Sequence, residues 1–137
     1  MVYAYMLMQR YIGLGGDDLL TIFKALSEES RLRILGVLME REMCVCEIEA
    51  CLNMTQSNAS RHLTVLKKSG ILEVYKEAQW VYYKIDENFK SEHTELWKYL
   101  EIKLKELPTY QRDRSKSERC KVQNLCNNLR NHKEKGR

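Results

Sequence analysis

Across residues 71–85 the apolar pattern changes period, while helical spacing dominates on either side. Val81, Tyr83 and Ile85 alternate with Trp80, Tyr82 and Lys84. β-Branched and aromatic residues concentrate there, which predicts a two-stranded hairpin over 71–76 and 80–85. Its connection, Glu77-Ala78-Gln79, lacks the Gly or Asn that usually marks a hairpin turn. Upstream, Leu19, Leu20, Phe23 and Leu26 fit one face of a first helix. Ser27 is placed to cap a second, with Glu28 and Glu29 where carboxylates favour the helix dipole. Leu32, Leu35 and Leu38 form its inward stripe. A short helix over 46–52, a tight connection at Asn53-Met54 and a helix from Thr55 to 69, stopped by Gly70, come next. Downstream, Leu96, Trp97, Leu100, Leu104 and Leu107 predict a helix over 91–107, ended by Pro108. The expected fold is mainly α with a small β-hairpin: a winged helix-turn-helix.

Composition fits that order. With 6 Gly and 1 Pro in 137 residues, the chain is poor in turn formers and unlike a many-stranded barrel or sandwich. No apolar run approaches the roughly 18–20 residues that span a bilayer, and no basic region precedes the apolar stretch Met1–Met8. The expectation is a cytoplasmic protein whose five cysteines are reduced thiols. The net charge of +4 is uneven, for residues 107–137 carry nine Lys or Arg against three Asp or Glu. Three parts are expected: an N-terminal extension (1–16), a DNA-binding and dimerisation domain (17–107), and a basic, Cys-bearing tail (108–137). The first and last helices of the domain hold more apolar surface than a small three-helix core covers. A homodimer is therefore expected, with Leu96, Trp97, Leu100 and Leu104, together with the first helix, forming identical patches that meet across a two-fold axis.

The helix from Thr55 carries the argument for a partner. Ala59, Leu63 and Leu66 face inward, leaving Gln56, Ser57, Ser60, Arg61, Thr64 and Lys68 outward. Short hydroxyls allow close approach to base edges, Gln and Arg make bidentate base contacts, and Lys finds phosphates. No acidic residue lies between Thr55 and Gly70, which points to double-stranded DNA.

Four stretches in this order resemble the ArsR/SmtB metalloregulatory repressors: 25–35, beginning Ala25-Leu26-Ser27; 43–48, Met43-Cys44-Val45-Cys46-Glu47-Ile48; 56–63, Gln56-Ser57-Asn58-Ala59-Ser60-Arg61-His62-Leu63; and Trp80-Val81-Tyr82-Tyr83. The resemblance covers about residues 17–107. It implies a homodimeric repressor that leaves its operator, expected to be an inverted repeat, when a toxic metal or metalloid binds. It also implies that Cys44 and Cys46 occupy the thiolate site of the arsenic-sensing and cadmium/lead-sensing branches. The wing tip departs from the family, lacking the Gly and Arg often found there, and the tail is not a general family feature.

Two cysteines one residue apart are harder to read as packing than one alone. In a regular helix an i, i+2 pair points to nearly opposite sides, so both sulfurs reach one ion only where a helix starts or unwinds. Soft thiolates favour a thiophilic ion. The expected inducer is As(III) or Sb(III), with Cd(II) or Pb(II) as the alternative. Cys120, Cys126 and Cys51 are the candidates for a third ligand; Cys51 lies about 10 Å along the axis from Cys44, which favours packing. His93 stands alone and His62 sits in the reading helix, so neither suggests a zinc site. No Cys/His constellation, phosphate loop or Cys-x-x-Cys argues for an enzyme. A repressor that senses thiol oxidation, and an interaction module that binds protein, are the remaining rivals.

Overall fold

The computed structural model describes residues 16–123, with side chains described for 19–120. Helices α1 (Gly16–Leu26) and α2 (Glu29–Leu38) lead to a short strand, β1 (Met43–Cys44). The helix-turn-helix is α3 (Val45–Leu52) and α4 (Gln56–Lys68), and the wing is β2 (Leu72–Glu77) and β3 (Trp80–Ile85). Helices α5 (Glu87–Glu92), α6 (Thr94–Leu104) and α7 (Tyr110–Gln123) follow. No helix among the described residues is long and apolar enough to cross a membrane.

The core is a single apolar cluster drawn from most elements. Ile34 and Leu35 of α2, Ile48 of α3, Leu63 and Leu66 of α4, and Ile71 before the wing are fully buried within it. On α1 the core-facing residues are Ile22, Ala25 and Leu26, whereas Leu19, Leu20 and Phe23 are exposed. The cap of α2 falls on Glu28, and the Ser27 hydroxyl donates back to the Lys24 carbonyl at 2.9 Å instead.

The helix-turn-helix is fixed by local chemistry. Asn53 takes the left-handed conformation (φ 54°), which Asn tolerates better than most residues, and Met54 N–H closes onto the Glu49 carbonyl at 3.0 Å. Thr55 Oγ1 accepts from Asn58 N–H, capping α4. Gly70, at φ 80°, ends the connection to the wing.

The sheet differs from the expected hairpin by one strand. Its order is β1-β3-β2, all antiparallel, with Met43 opposite Tyr83 and Cys44 opposite Tyr82. Two residues offer no alternation to read, which is why β1 leaves no trace in the sequence pattern. The β2–β3 register runs from Leu72 opposite Ile85 to Glu77 opposite Trp80. That register leaves a two-residue turn, Ala78-Gln79, with Ala78 at φ 55° where Gly is the favoured residue. Tyr75 stacks on Tyr82 across the ladder, and Lys84 pairs with Glu73 at 2.8 Å.

The helix expected over 91–107 is two. Asp86 caps α5 by accepting from Asn88 N–H, and the backbone breaks at His93 (φ −124°, ψ 53°). Phe89 seals the break, packing against His93 and edge-on against Trp97.

The segment after Pro108 is also more than an appendage. Helix α7 packs on α2 and α3, and its inward residues are Tyr110, Asp113, Ser117 and Cys120. Arg33 grips Asp113 with two 2.9 Å hydrogen bonds and donates a third, at 3.2 Å, to the Leu52 carbonyl. Tyr110 donates to the Glu40 carboxylate, and Arg41 reaches the Ser117 carbonyl at 3.2 Å. Burial, followed by the Glu40 contact, pushes the Tyr110 phenol up to about 12. Cys126, His132 and all of residues 1–16 except Gly16 lie outside the described residues.

Candidate functional site

The residues expected to face DNA lie on the outward side of α4. Ala59, Leu63 and Leu66 are buried, and Gln56, Ser57, Ser60, Arg61, Thr64 and Lys68 are all exposed on the other side. Thr64 donates to the Ser60 carbonyl at 2.7 Å, which keeps that hydroxyl close to the helix surface. His62 points inward, its Nδ1 3.7 Å from a Glu28 carboxylate oxygen, so its role is packing between α4 and the start of α2.

The Cys44–Cys46 pair lies one element earlier. Cys44 is the N-cap of α3, held extended (φ −79°, ψ 163°) by its pairing with β3, and Cys46 is in the first turn. This junction removes the helical objection to an i, i+2 pair, and the two Sγ atoms lie 2.7 Å apart. Cys44 is fully buried and Cys46 half-buried. Burial pushes the Cys46 thiol up, opposed by the backbone N–H of Glu47. The neutral thiol is therefore favoured.

Two residues that composition did not single out organise this turn. Glu47 accepts from Cys44 N–H at 3.3 Å through one oxygen and from Arg41 at 2.6 Å through the other. Arg41 also holds the Ser117 carbonyl, so the turn carrying the cysteines is tied to α7. The three-residue spacing from Cys44 to Glu47 is that of a capping box, the signal by which Glu47 was findable. Arg41 has no comparable local signal.

The candidates for a third ligand part company. Cys51 is buried and Cys120 faces it from α7. Among the described residues no group of three or more Cys, His, Asp or Glu side chains is assembled for a metal ion. The expected dimer residues also divide. Trp97, Leu100 and Leu104 are buried within the single chain and Leu96 is half-buried, because this stripe of α6 turns to the core rather than outward. The exposed apolar residues of α6 are Tyr99 and Ile102, matched on α1 by Leu19, Leu20 and Phe23.

A three-stranded wing on a helix-turn-helix whose second helix is acid-free and outward-facing defines a DNA-binding winged helix-turn-helix regulator. The family model described as bacterial regulatory protein, arsR family, matches residues 28–74. The chain is 41% identical over 71 residues to a cadmium resistance transcriptional regulatory protein CadC homolog of Staphylococcus aureus, covering 51% of this chain and 59% of that protein. It is 42% identical over 65 residues to the arsenic resistance transcriptional regulator ArsR1 of Pseudomonas putida, covering 47% and 51%. Of solved structures, HlyU from Vibrio cholerae N16961 superposes with TM-score 0.53 at 33% identity, over 61% of this chain and 91% of that one. The homodimeric winged helix-turn-helix DNA-binding domain of Mb0332 from Mycobacterium bovis gives 0.55 at 29%, over 63% and 80%. The chain belongs to the ArsR family of transcriptional regulators. The match spans between 51% and 62% of the length of the first curated relatives.

Proposed function

We propose that this regulator is a homodimeric cytoplasmic repressor whose two α4 helices read an inverted-repeat operator, and that a thiophilic ion, As(III) or Sb(III), bound by Cys44 and Cys46 releases it. The carrying observation is the convergence of the two sulfurs at the β1–α3 junction. That junction begins the helix that supports α4. A change imposed on its first turn is transmitted by direct α3–α4 packing. To move the repressor from 99% competent to 99% released, the ion must favour the released state by about 5.5 kcal/mol. Metal–thiolate bonds are of a strength to supply that.

A trivalent arsenic or antimony ion takes about three thiolates. Cys51 and Cys120 engage each other, which favours Cys126 for the third position. The exposed Leu19, Leu20, Phe23, Tyr99 and Ile102 supply the dimer face, and a Phe23→Glu variant should sediment as a monomer with little operator binding. Cd(II) or Pb(II) is the second reading, supported by the cadmium-resistance relative.

The test is titration of the reduced chain with arsenite, antimonite, Cd(II) and Pb(II), following sulfur-to-metal absorption together with operator release. Cys44→Ser and Cys46→Ser should keep operator affinity and lose release by arsenite. Full arsenite response in the double variant overturns the site. Release by peroxide alone would make the protein an oxidation sensor instead.

A further inference from the structure

The second cysteine pair joins the C-terminal end of α3 to α7. Cys51 is fully buried, and its Sγ donates to the Lys116 carbonyl of α7 at 3.9 Å. Lys116 lies one helical turn before Cys120, and helical side chains lean towards the N-terminus. Cys120 therefore leans over that turn towards Cys51, and burial, followed by the neighbouring Cys120 thiol, pushes the Cys51 thiol up. Cys120 is 8% exposed, at the edge of the α3–α7 contact.

The helix they join is held by polar contacts at few points. Its other inward residues are Tyr110, Asp113 and Ser117, so beyond one buried aromatic ring its docking rests on polar partners, and such a helix can open locally without unfolding the core. Opening gives a small molecule access to Cys120, and reclosing returns Cys120 to Cys51.

We propose that Cys51 and Cys120 form a dithiol modification site, which a small-molecule disulfide converts to a Cys51–Cys120 disulfide that clamps α7 to α3. The Cys120 thiolate attacks one sulfur of the oxidant, forming a mixed disulfide and expelling one small thiolate. The Cys51 thiolate then attacks the Cys120 sulfur, forming the protein disulfide and expelling the second. Two protein thiols lose two electrons and two protons, and one disulfide oxidant becomes two thiols. This site is separate from the Cys44–Cys46 pair and stands whether or not that pair binds an ion.

The experiment uses the full reduced chain, incubated with oxidised glutathione, quenched in acid, alkylated and mapped by peptide mass spectrometry. The expected product is a peptide pair joined through Cys51 and Cys120. Hydrogen exchange of α7 amides should then slow by about tenfold or more, reversibly with dithiothreitol. Cys120→Ala should lose both effects; it lies at the edge of the contact and keeps the core intact even if Cys51→Ala does not fold. The Cys44→Ser, Cys46→Ser double variant should retain both. A stable glutathione adduct without the cross-link, or cross-links confined to other cysteines, overturns the site. A cross-link that leaves α7 exchange unchanged overturns the clamp.

Discussion

Helices α4 and α7 are of nearly equal length, 13 and 14 residues, and both turn basic side chains outward, yet they are held by opposite means. The inward residues Ala59, Leu63 and Leu66 of α4 are apolar, so its burial is driven by their own transfer from water. On α7 the inward Tyr110 and Asp113 side chains depend on groups elsewhere, Glu40 and Arg33, and Arg41 holds the backbone carbonyl of Ser117. An apolar stripe carries its reason for burial within itself, whereas a polar one borrows it from partners. The contrast predicts that α4 is inseparable from the fold and that α7 can be released alone.

The largest effects test that directly. Leu63→Ala removes a fully buried side chain beneath the reading surface and should cost about 3–5 kcal/mol, read as a single shifted transition in urea. Asp113→Ala leaves Arg33 without its two-pronged partner, and the docking of α7 should weaken by about 3 kcal/mol. Exchange should rise in α7 alone, with α4 amides and operator binding preserved. If Asp113→Ala instead melts the whole chain in one step, the two helices are equally integral and the comparison fails.

The same contrast explains what the sequence made legible. The spacing of Leu63 and Leu66, the Thr55 cap, the Gly70 stop and the alternation of Trp80–Ile85 place α4 and the wing within a residue or two. Strand β1 is too short for a period, and the break at His93 arises from tertiary packing around Phe89, which no local breaker residue announces. Helix α7 was invisible to hydrophobic periodicity, since its docked face has none. At the site, Cys44 and Cys46 were legible as a pair because of their spacing. Their convergence was not, because it depends on β1 holding Cys44 extended. The orientation of α6 was not legible for a related reason: an apolar stripe tells that a face is buried, not whether against its own core or a second copy.

A smaller effect separates the outward faces. Arg61→Ala should weaken specific operator binding by roughly 1–3 kcal/mol if its guanidinium reads a base, with unchanged thermal stability. Arg119→Gln, on the exposed side of α7, should alter only the salt dependence of binding. Fluorescence anisotropy with operator and scrambled duplexes at several salt concentrations distinguishes them. Equal loss of discrimination in both variants would place α7 on the bases as well.

The smallest expected effect is a slope. His62 is the one titratable group on the inward side of α4. Its pKa is lowered, first by burial and then by Arg61 and Arg31, while Glu28 opposes the shift from the cap of α2. A histidine with a folded pKa below its unfolded value of about 6.5 binds fewer protons folded than unfolded as the solution acidifies. Its contribution is therefore complete above about pH 6.5 and is lost as pH falls from there through the folded value. Urea midpoints measured from about pH 7.5 down to about 5.5 should decline in the wild-type chain and flatten in His62→Gln. The docked face of α7 carries no histidine, and with its phenol pushed up to about 12 the Tyr110 contact keeps its proton across this window. Protection of α7 amides, corrected for intrinsic exchange, should accordingly stay level while α4 loosens. A midpoint that rises on acidification would mean that Glu28 captures a protonated His62 as an ion pair, giving α4 a borrowed polar anchor of the kind that holds α7.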